Sequence, residues 1–281
     1  MVRVFVVTGS NKGIGKSIVK LLLQDKEEKI VYLTARNEEL GLQTVKEFEQ
    51  NGLKPRFHQL DITDQNSINR LRDHLQNEHL GLDVLVNNAG MAYKGSSTAP
   101  FAEQAEVTNN CNFFGTVNIC EALFPILKQN GRVVLVSSFT SEMAYSGFSK
   151  ELKAKFTDPN LNMEGLKLLI HDFVTAAKDN QLKDRGWVES AYATSKVGVS
   201  FMGILQQKQV DAEYPDKNIL VNYCCPGIVD TGMTGGRYEG MVSPDEGADT
   251  PTYLALISVD AKEPKGQFCK LRKVVPYPPS D

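Results

Sequence analysis

The stretch that decides the fold reads Thr8-Gly9-Ser10-Asn11-Lys12-Gly13-Ile14-Gly15. It follows an apolar run from Val2 to Val7 and opens a segment whose apolar residues recur at helical spacing. A strand, a glycine-rich turn and a helix in this order place backbone N–H groups and a helix N-terminus against a pyrophosphate. The spacing G-x-x-x-G-x-G differs from the G-x-G-x-x-G dinucleotide fingerprint, so the turn alone leaves an ordinary βα connection open. We favour a nucleotide site because the turn directly follows a strand.

Strand-like and helical segments go on alternating along the first half of the chain. The apolar strand-like runs are 29–34, 55–60, 82–86 and 132–136. This alternation predicts a doubly wound α/β fold, in which a parallel sheet is covered by helices on both faces. Ligands of such sheets bind beyond the carboxyl ends of the strands. Asp61, Asn88 and Ser138 all lie at those ends.

The alternation is interrupted from about Phe139 to Arg185 and then resumes. The interrupting segment is rich in Lys, Asp, Asn and Glu, and part of it has the spacing of an amphipathic helix. The apolar residues at that spacing are Leu166, Leu169, Ile170, Phe173 and Ala177. Thr231 to Gly247 is glycine-rich and predicts a mobile loop. The other elements expected here are a helix at 190–212, a strand at 219–224, a helix near 251–257 and a strand near 267–269. No internal repeat or inter-domain linker is evident, so we expect one domain over residues 1–281.

Composition narrows the class of protein. The chain has 281 residues, 41% of them hydrophobic, which is enough for the buried core of one large α/β sheet. A net charge of −3 and the lack of a long basic run argue against a dedicated nucleic-acid binder. No apolar stretch approaches the length of a membrane span, and the first predicted strand leaves no room for a signal peptide. We therefore expect no nucleic-acid partner and no membrane association.

Cysteine and histidine usage points to a reducing compartment without a structural metal. The five cysteines are odd in number and lack the spacing of a disulfide framework. The four histidines are scattered, with no companions at metal-ligand spacing. The cysteines are Cys111, Cys120, Cys224, Cys225 and Cys269, and the histidines are His58, His74, His79 and His171.

Tyr192 and Lys196 are the pair that suggests chemistry. Their spacing of four residues puts both side chains on one face of a helix. An ammonium group beside a phenol stabilises the phenolate and lowers its pKa, which makes the phenol a better acid and base near neutral pH. Such pairs are also common on exposed helices, so this pair gains meaning only with Ser138 at one strand end and Asn88 at another.

Taken in order, the motifs resemble those of the short-chain dehydrogenases/reductases. They are Thr8-Gly9-x-x-x-Gly13-x-Gly15, Asn87-Asn88-Ala89-Gly90, Ser138, Tyr192-x-x-x-Lys196 and Pro226-Gly227. Several runs narrow the resemblance to the NADPH-dependent carbonyl reductases of the monomeric, cytosolic type. These runs are 9–15, Arg56-Phe57-His58-Gln59-Leu60-Asp61, Asn112-Phe113-Phe114-Gly115-Thr116 and Cys224-Cys225-Pro226-Gly227. The resemblance covers nearly the whole chain and implies a single-domain Rossmann fold with about seven parallel strands.

The resemblance also implies roles for individual residues. Tyr192 would protonate the substrate oxygen as hydride arrives from the nicotinamide, and Ser138 would hydrogen-bond that oxygen. Lys196 would hold the ribose hydroxyls while polarising Tyr192, and Asn112 would hold a water in the proton relay. Ser137 stays a rival to Ser138, because adjacent side chains face opposite sides of a strand. The implied cofactor-binding residues are Gly9, Asn11, Lys12, Gly13, Ile14, Gly15, Arg36, Asp61, Ile62, Asn88, Ala89, Gly90, Tyr192, Lys196, Pro226, Gly227, Val229 and Thr231.

Arg36 and Lys12 favour NADPH over NADH. Members that prefer NAD usually carry a carboxylate at the end of the second strand, where it binds the ribose 2′-hydroxyl. Here that region reads Leu33-Thr34-Ala35-Arg36, with no carboxylate before Glu38. The two cations can instead bind a 2′-phosphate, although solvated surface cations are the alternative reading.

The distance between Ser138 and Tyr192 departs from the family pattern. Most members place these residues a dozen or so positions apart, whereas here they are 54 apart. The segment 139–185 is therefore a helical insertion, as monomeric carbonyl reductases also have. We expect its amphipathic stripe to fold back on the helix around 113–128 and on the Tyr192 helix, which other members use to form dimers. That arrangement predicts a monomer, and a projecting arm that forms a dimer contact is the alternative.

The sequence thus predicts a cytoplasmic, NADPH-dependent reductase of aldehydes, ketones and quinones. Two other functions stay open: a biosynthetic enzyme for one steroid, pterin or terpenoid alcohol, and a dinucleotide-binding sensor without turnover. We expect substrate specificity to reside in the insertion and in the loop 231–247. Cys225, directly before Pro226, is either accessible to electrophilic substrates or packed as a small hydrophobe.

Overall fold

The computed structural model describes residues 2–235 and 239–279, so that part of the predicted loop at 231–247 lies outside the described residues. The strands are β1 (Arg3–Val7), β2 (Lys29–Ala35), β3 (Arg56–Gln59), β4 (Leu82–Asn87), β5 (Leu127–Val136), β6 (Leu220–Cys225), β7 (Phe268–Lys270) and β8 (Lys273–Val275). They form one sheet in the order β3-β2-β1-β4-β5-β6-β7-β8. The first seven pair in parallel, and β8 pairs antiparallel with β7. The chain order reverses between β1 and β4, which is the switch point where such sheets bind their ligands.

Helices lie on both faces of this sheet. Their bounds are α1 (Gly13–Gln24), α2 (Glu38–Gln50), α3 (Gln65–His79), α4 (Phe101–Asn109), α5 (Gly115–Leu123), α6 (Thr140–Ser146), α7 (Lys150–Phe156), α8 (Met163–Lys178), α9 (Ala191–Glu213) and α10 (Pro244–Ala255). A π-helical turn, Asn110–Phe114, joins α4 to α5, and a 3-10 turn, Phe124–Ile126, follows. The predicted doubly wound, single-domain fold is confirmed. Within the two described ranges, every helix is too short or too polar to cross a bilayer.

The two faces of the sheet bury separate apolar cores. Successive side chains of a strand point to opposite faces, so Val6 packs towards α3, α5 and α9 while Phe5 and Val7 pack towards α1, α2 and α10. Because both faces are covered, the central strands read as continuous apolar runs instead of alternating patterns. This explains why the strands were recognisable in the sequence.

The predicted insertion folds back on the body of the protein, but it packs chiefly on α4 and α9 and reaches the predicted helix around 113–128 only through single contacts such as His171 with Phe114. Helix α8 carries the amphipathic stripe, and Leu166, Ile170 and Phe173 are fully buried within it. The Phe173 ring lies 6.4 Å from the ring of Phe101 in α4, measured between centroids. Where α8 faces α9, a side chain added at Gly198 would begin 3.1 Å from Ile170. The insertion therefore covers the outer sides of α4 and α9.

Charged groups at the rim of α8 reinforce this packing. Lys178 lies 2.9 Å from Glu106 of α4, and Lys167 lies 2.8 Å from Glu121 of α5. These ion pairs are exposed, so each stabilises the fold only slightly, by about 0–1 kcal/mol. They join α8 to both α4 and α5.

Several elements differ from the sequence prediction. The helix predicted around 113–128 ends earlier, because β5 already begins at Leu127, and α6 and α7 were not predicted individually. Helix α10 begins at Pro244, inside the segment predicted as a loop. Its start is set by a capping box, in which Ser243 Oγ accepts from the Glu246 N–H while the Glu246 carboxylate accepts from the Ser243 N–H. Strand β8 was not predicted, because its hairpin turns through Leu271 and Arg272 at φ angles of 47° and 60°. In tight hairpins the residues with positive φ angles are usually Gly or Asn, and this turn contains neither residue type.

Candidate active site

The glycine turn at the end of β1 packs its backbone directly against the end of β4. A Cβ at Gly9, whose φ is +61°, would lie 2.8 Å from Ala89 Cα, and a Cβ at Gly15 would lie 2.6 Å from the Gly9 carbonyl oxygen. Helix α1 begins at Gly13, and its N-cap residue Lys12 makes no side-chain cap bond. The first turn also contains no acidic residue. The leading N–H groups of α1 thus lack a side-chain acceptor and fit an anion.

Asn88 and Ala89 are held against the glycine turn by Thr8. The Thr8 hydroxyl oxygen accepts from the N–H of Asn88 at 3.0 Å and from that of Ala89 at 2.9 Å. The Asn88 amide donates in turn to the carbonyl oxygens of Thr8 and Gly9, both at 3.0 Å. These bonds fix the ends of β1 and β4 side by side at the switch point. Thr8 was not among the predicted site residues, although its place at the end of a strand was a usable signal.

Lys12 and Arg36 lie exposed beside this turn. No residue in the described part of the chain forms an ion pair with either of them, so their charges are available to a phosphate. The Thr44 hydroxyl donates to the Asn11 carbonyl at 3.0 Å, and the Gln59 amide donates to the Arg36 carbonyl at 3.2 Å. The backbones that carry both cations are therefore fixed. This uncapped helix start, with two cations beside it, fits the phosphate groups of NADPH.

Asp61 and Ile62 lie at the carboxyl edge, just beyond β3. The Asp61 carboxylate accepts from the N–H and the hydroxyl of Thr63, at 2.9 and 2.6 Å. The Ile62 side chain is only 5% exposed and packs against Gly115, where an added Cβ would lie 3.0 Å from it. Both predicted positions are thus at the correct edge, but the Ile62 side chain is turned into the protein.

Ser138, Tyr192 and Lys196 come together where β5 ends and α9 begins. Lys196 Nζ lies 5.7 Å from the centroid of the Tyr192 ring and donates to the Val136 carbonyl at 2.7 Å. The Ser138 side chain lies close enough to Tyr192 to favour its phenolate. Ser137 faces the opposite way, since its hydroxyl donates to the Lys196 carbonyl at 3.1 Å. This geometry favours Ser138 over Ser137 as the group that faces a substrate.

Burial controls the ionisation of this pair. It raises the pKa of Tyr192 to about 12, against the opposing effect of the Ser138 hydrogen bond. It also lowers the pKa of Lys196 to about 8. The expectation that Lys196 lowers the Tyr192 pKa was wrong for this structure, because desolvation of the phenolate outweighs the distant ammonium group. At neutral pH Tyr192 is protonated and can act as an acid.

Asn112 lies in the π-helical turn and is fully engaged by its neighbours. Its amide nitrogen donates to the Met91 carbonyl at 2.9 Å and to Ser195 Oγ at 3.0 Å, while its amide oxygen accepts from the Met91 N–H at 2.7 Å. The side chain thereby joins the segment after Gly90 to the helix that carries Tyr192. Its role in holding a water stays a prediction. Ser195, which sequence reasoning missed, donates onward to the Tyr192 carbonyl at 2.7 Å.

The segment after β6 returns towards the glycine turn. Pro226 and Gly227 end the strand, with a φ of +86° at Gly227. Val229 then pairs with Val242 in an isolated bridge and is 3% exposed. A Cβ built on Gly13 would lie 3.4 Å from the Thr231 methyl group, so that Thr231 stands directly against the start of α1.

Cys225 is packed beneath this segment. Its side chain is 6% exposed, and its sulfur accepts from the N–H groups of Phe139 at 3.1 Å and Gly227 at 3.3 Å. Burial raises the pKa of the Cys225 thiol in spite of these bonds. The structure favours the packed alternative over a reactive thiolate. Among the described residues, no group of three or more His, Cys, Asp or Glu side chains could hold a metal ion.

Comparison with known proteins gives matches over nearly the whole chain. The sequence profile of the short chain dehydrogenase family matches residues 3–156. The Bos taurus protein named carbonyl reductase (NADPH) 1 is 44% identical over 98% of both chains. The Homo sapiens protein of that name is 45% identical over 97% of this chain and 98% of its own.

Solved structures agree with these matches. Salutaridine reductase from Papaver somniferum superimposes with a TM-score of 0.83 at 28% identity, covering 95% of this chain and 99% of the plant chain. An NADPH-bound carbonyl reductase from chicken fatty liver gives a TM-score of 0.68 at 20% identity over 95% of each chain. The second likeness shows the fold alone.

Proposed function

The chain belongs to the short-chain dehydrogenase family, and we propose that it reduces aldehydes, ketones and quinones to alcohols with Tyr192 as the proton donor. It is an oxidoreductase that uses NADPH to reduce carbonyl compounds. The observation that supports the proposed roles is the meeting of Ser138, Tyr192 and Lys196 at the carboxyl edge of the sheet. The phosphate-compatible glycine turn ends at the same edge.

Different residues of the chain would bind the cofactor and act on the substrate oxygen. NADPH supplies the hydride when bound. The start of α1 would hold its pyrophosphate, and Lys12 with Arg36 would hold the 2′-phosphate. Lys196 would bind the ribose hydroxyls. Hydride arrival makes the substrate oxygen negative, and that charge must be stabilised and protonated.

Ser138 and Tyr192 act on that oxygen. Ser138 donates a hydrogen bond to it, and the buried Tyr192 transfers its phenolic proton. Because its pKa lies near 12 in the free enzyme, Tyr192 remains in the acid form throughout the neutral range. The Lys196 side chain, held by the Val136 carbonyl, lies 5.7 Å from the centroid of the Tyr192 ring, where its charge offsets only part of the desolvation of the phenolate.

Replacing Tyr192 by Phe tests the mechanism directly. The change removes one hydroxyl and little volume, so the thermal midpoint should persist. Turnover of a good carbonyl substrate should fall by about 100-fold or more, which is typical for loss of a general acid. Tyr214→Phe, at the opposite end of α9, is the matched control and should retain wild-type turnover. Wild-type turnover in Tyr192→Phe contradicts the proposal.

A second candidate is a reductase dedicated to one compound, and the likeness to salutaridine reductase favours keeping it. NADPH oxidation should be followed with quinones, dicarbonyls, steroids and pterins at matched concentrations. Values of kcat/KM of similar size for several classes support the broad reductase. One class that exceeds all others by about 100-fold supports the dedicated enzyme. Binding of NADPH without turnover of any compound supports the sensor that the sequence left open.

We further propose a cytoplasmic monomer whose specificity is set by segments 139–185 and 231–247. Helix α8 supports the monomer, because it covers apolar parts of α4 and of α9, and α9 is one of the two helices through which other members form dimers. The five cysteines support a reducing compartment, since all are free and four are buried. Segment 231–247 supports a substrate-contacting role, because Thr231 lies against the cofactor turn at its start.

A further inference from the structure

Thr140 makes two hydrogen bonds to the oxygen of Ser138. It is the first residue of α6 and lies two positions after Ser138. Its backbone N–H donates to Ser138 Oγ at 3.2 Å, and its hydroxyl donates to the same atom at 3.0 Å. The Ser138 carbonyl is fixed as well, because it accepts from the N–H of Ser141 at 3.1 Å and from its hydroxyl at 2.7 Å.

This arrangement limits what the Ser138 hydroxyl can do. A serine hydroxyl offers one donor and two acceptor sites. Thr140 fills both acceptor sites, so the hydroxyl proton is the only remaining hydrogen-bonding group. Ser138 is 6% exposed and faces Tyr192, so that proton points towards the place where the substrate oxygen is reduced.

We propose that Thr140 is a positioning residue for carbonyl reduction, which keeps Ser138 oriented as a hydrogen-bond donor to the oxygen being reduced. The proposal rests on the proposed roles of Ser138 and Tyr192. Without the Thr140 hydroxyl, Ser138 Oγ regains a free acceptor site. It can then accept a hydrogen bond from the Tyr192 hydroxyl. In that orientation the Tyr192 proton is not available to the substrate oxygen, and the Ser138 proton points away from the substrate.

Two substitutions separate the hydroxyl from the shape of the side chain. Thr140→Val keeps the volume and the backbone N–H but removes the hydroxyl, whereas Thr140→Ser keeps the hydroxyl. We expect kcat of Thr140→Val to fall by about three- to tenfold, or about 0.7–1.4 kcal/mol of activation free energy. The KM for NADPH should not change, and Thr140→Ser should restore most of kcat. Thr157→Val removes an exposed hydroxyl at the end of α7, which bonds only within its own helix, and serves as the control.

A double-mutant cycle tests whether Thr140 acts through Ser138. The residual rate of Ser138→Ala, measured at high enzyme concentration, should not decrease further when Thr140→Val is added.

Three results would overturn the proposal: an unchanged kcat in Thr140→Val, no recovery of kcat in Thr140→Ser, or a full additive loss in the double mutant. Each result is compared with the wild-type enzyme, which is expected to reduce carbonyls, and with the Tyr192→Phe variant, which is expected not to. Failure of the proposed function itself would show in those two enzymes first, so the two failures are distinguishable.

Discussion

Lys196 links the chemistry of the site to the pH dependence of stability. Its pKa is lowered from 10.5 to about 8 in the folded protein because it is buried. Between these values the unfolded chain binds more protons than the folded one, so the free energy of unfolding rises with pH, by at most about 1.4 kcal/mol per pH unit. Tyr192 adds an opposite trend only above about pH 10, where the unfolded phenol starts to ionise.

Lys196→Met should abolish the rise of the free energy of unfolding with pH. Urea unfolding of the enzyme without cofactor at about pH 7.5 and about pH 9.5 measures the effect. We expect the wild type to gain about 1–2 kcal/mol relative to the variant over this interval. Parallel pH profiles of the two proteins would mean that Lys196 keeps an ordinary pKa.

Arg36 and Lys12 determine the prediction about cofactor choice. A hydrogen bond to a charged group contributes about 1.5–3 kcal/mol, so each contact to a 2′-phosphate favours NADPH by roughly tenfold or more. Arg36→Asp combined with Lys12→Ala should raise the KM for NADPH far more than the KM for NADH. Lys46→Ala removes an exposed cation on α2 and is the control. It should change neither of the two KM values. Equal effects on both cofactors would contradict a 2′-phosphate site.

At the scale of elements, Gly15 holds the junction of β1, α1 and β4. A Cβ at this position would clash with Asn88 and would lie 2.6 Å from the Gly9 carbonyl and 2.8 Å from Ser10 Cα. Gly15→Ala should lower the free energy of unfolding by about 2 kcal/mol or more, because backbone atoms must move. It should also weaken NADPH binding in a fluorescence titration, since the displaced atoms form the cofactor turn.

Gly52→Ala is the matched control for this element. Gly52 has a φ of +75° but no atom within 4 Å of an added Cβ. Its substitution therefore introduces backbone strain alone, at a cost of about 1–2 kcal/mol, and NADPH binding should be unchanged. Loss of NADPH affinity in both variants, or in neither, would argue against the junction as the cause.

Motifs that act through backbone position were predictable from the sequence. Gly9, Asn88 and Ser138 could be brought to one edge because parallel strands end together, whatever their side chains do. The Ser138–Thr140 bonds and the fully bonded Asn112 amide depend on side-chain conformations, which no spacing rule specifies. The direction of the Tyr192 pKa shift was also out of reach, since it is set by burial and not by the nearest charge in the sequence.

The boundaries of helices and strands were also predictable only where a sequence motif marks them. The Ser243–Glu246 capping box lay in the sequence and could have located the start of α10. The hairpin at Leu271 and Arg272 could not have been found, because neither residue type favours a positive φ. Helix α8 was found by its apolar period, and α6 and α7 were too short for a period to appear.

At the scale of the whole molecule, the packing of α8 leads to a prediction of mass. Phe173 and Ile170 bury its stripe within one chain, so no apolar stripe on this helix is left for a partner. Sedimentation at about 1 and about 100 micromolar should give one species near 31.1 kDa. Lys178→Glu, placed against Glu106, should loosen the edge of α8 and speed proteolysis of the insertion. A stable species of twice the wild-type mass would contradict the monomer.

The position of α8 also governs how the rate depends on the amount of enzyme. A second copy cannot reach α4 and α9 without displacing this helix, which is already bound to them at the effective concentration of a tethered segment. Specific activity should therefore survive dilution to nanomolar levels, where enzymes assembled from weakly associated subunits lose rate. Saturation curves for NADPH and for the carbonyl should be hyperbolic, because a monomer with one active site cannot show cooperativity between active sites.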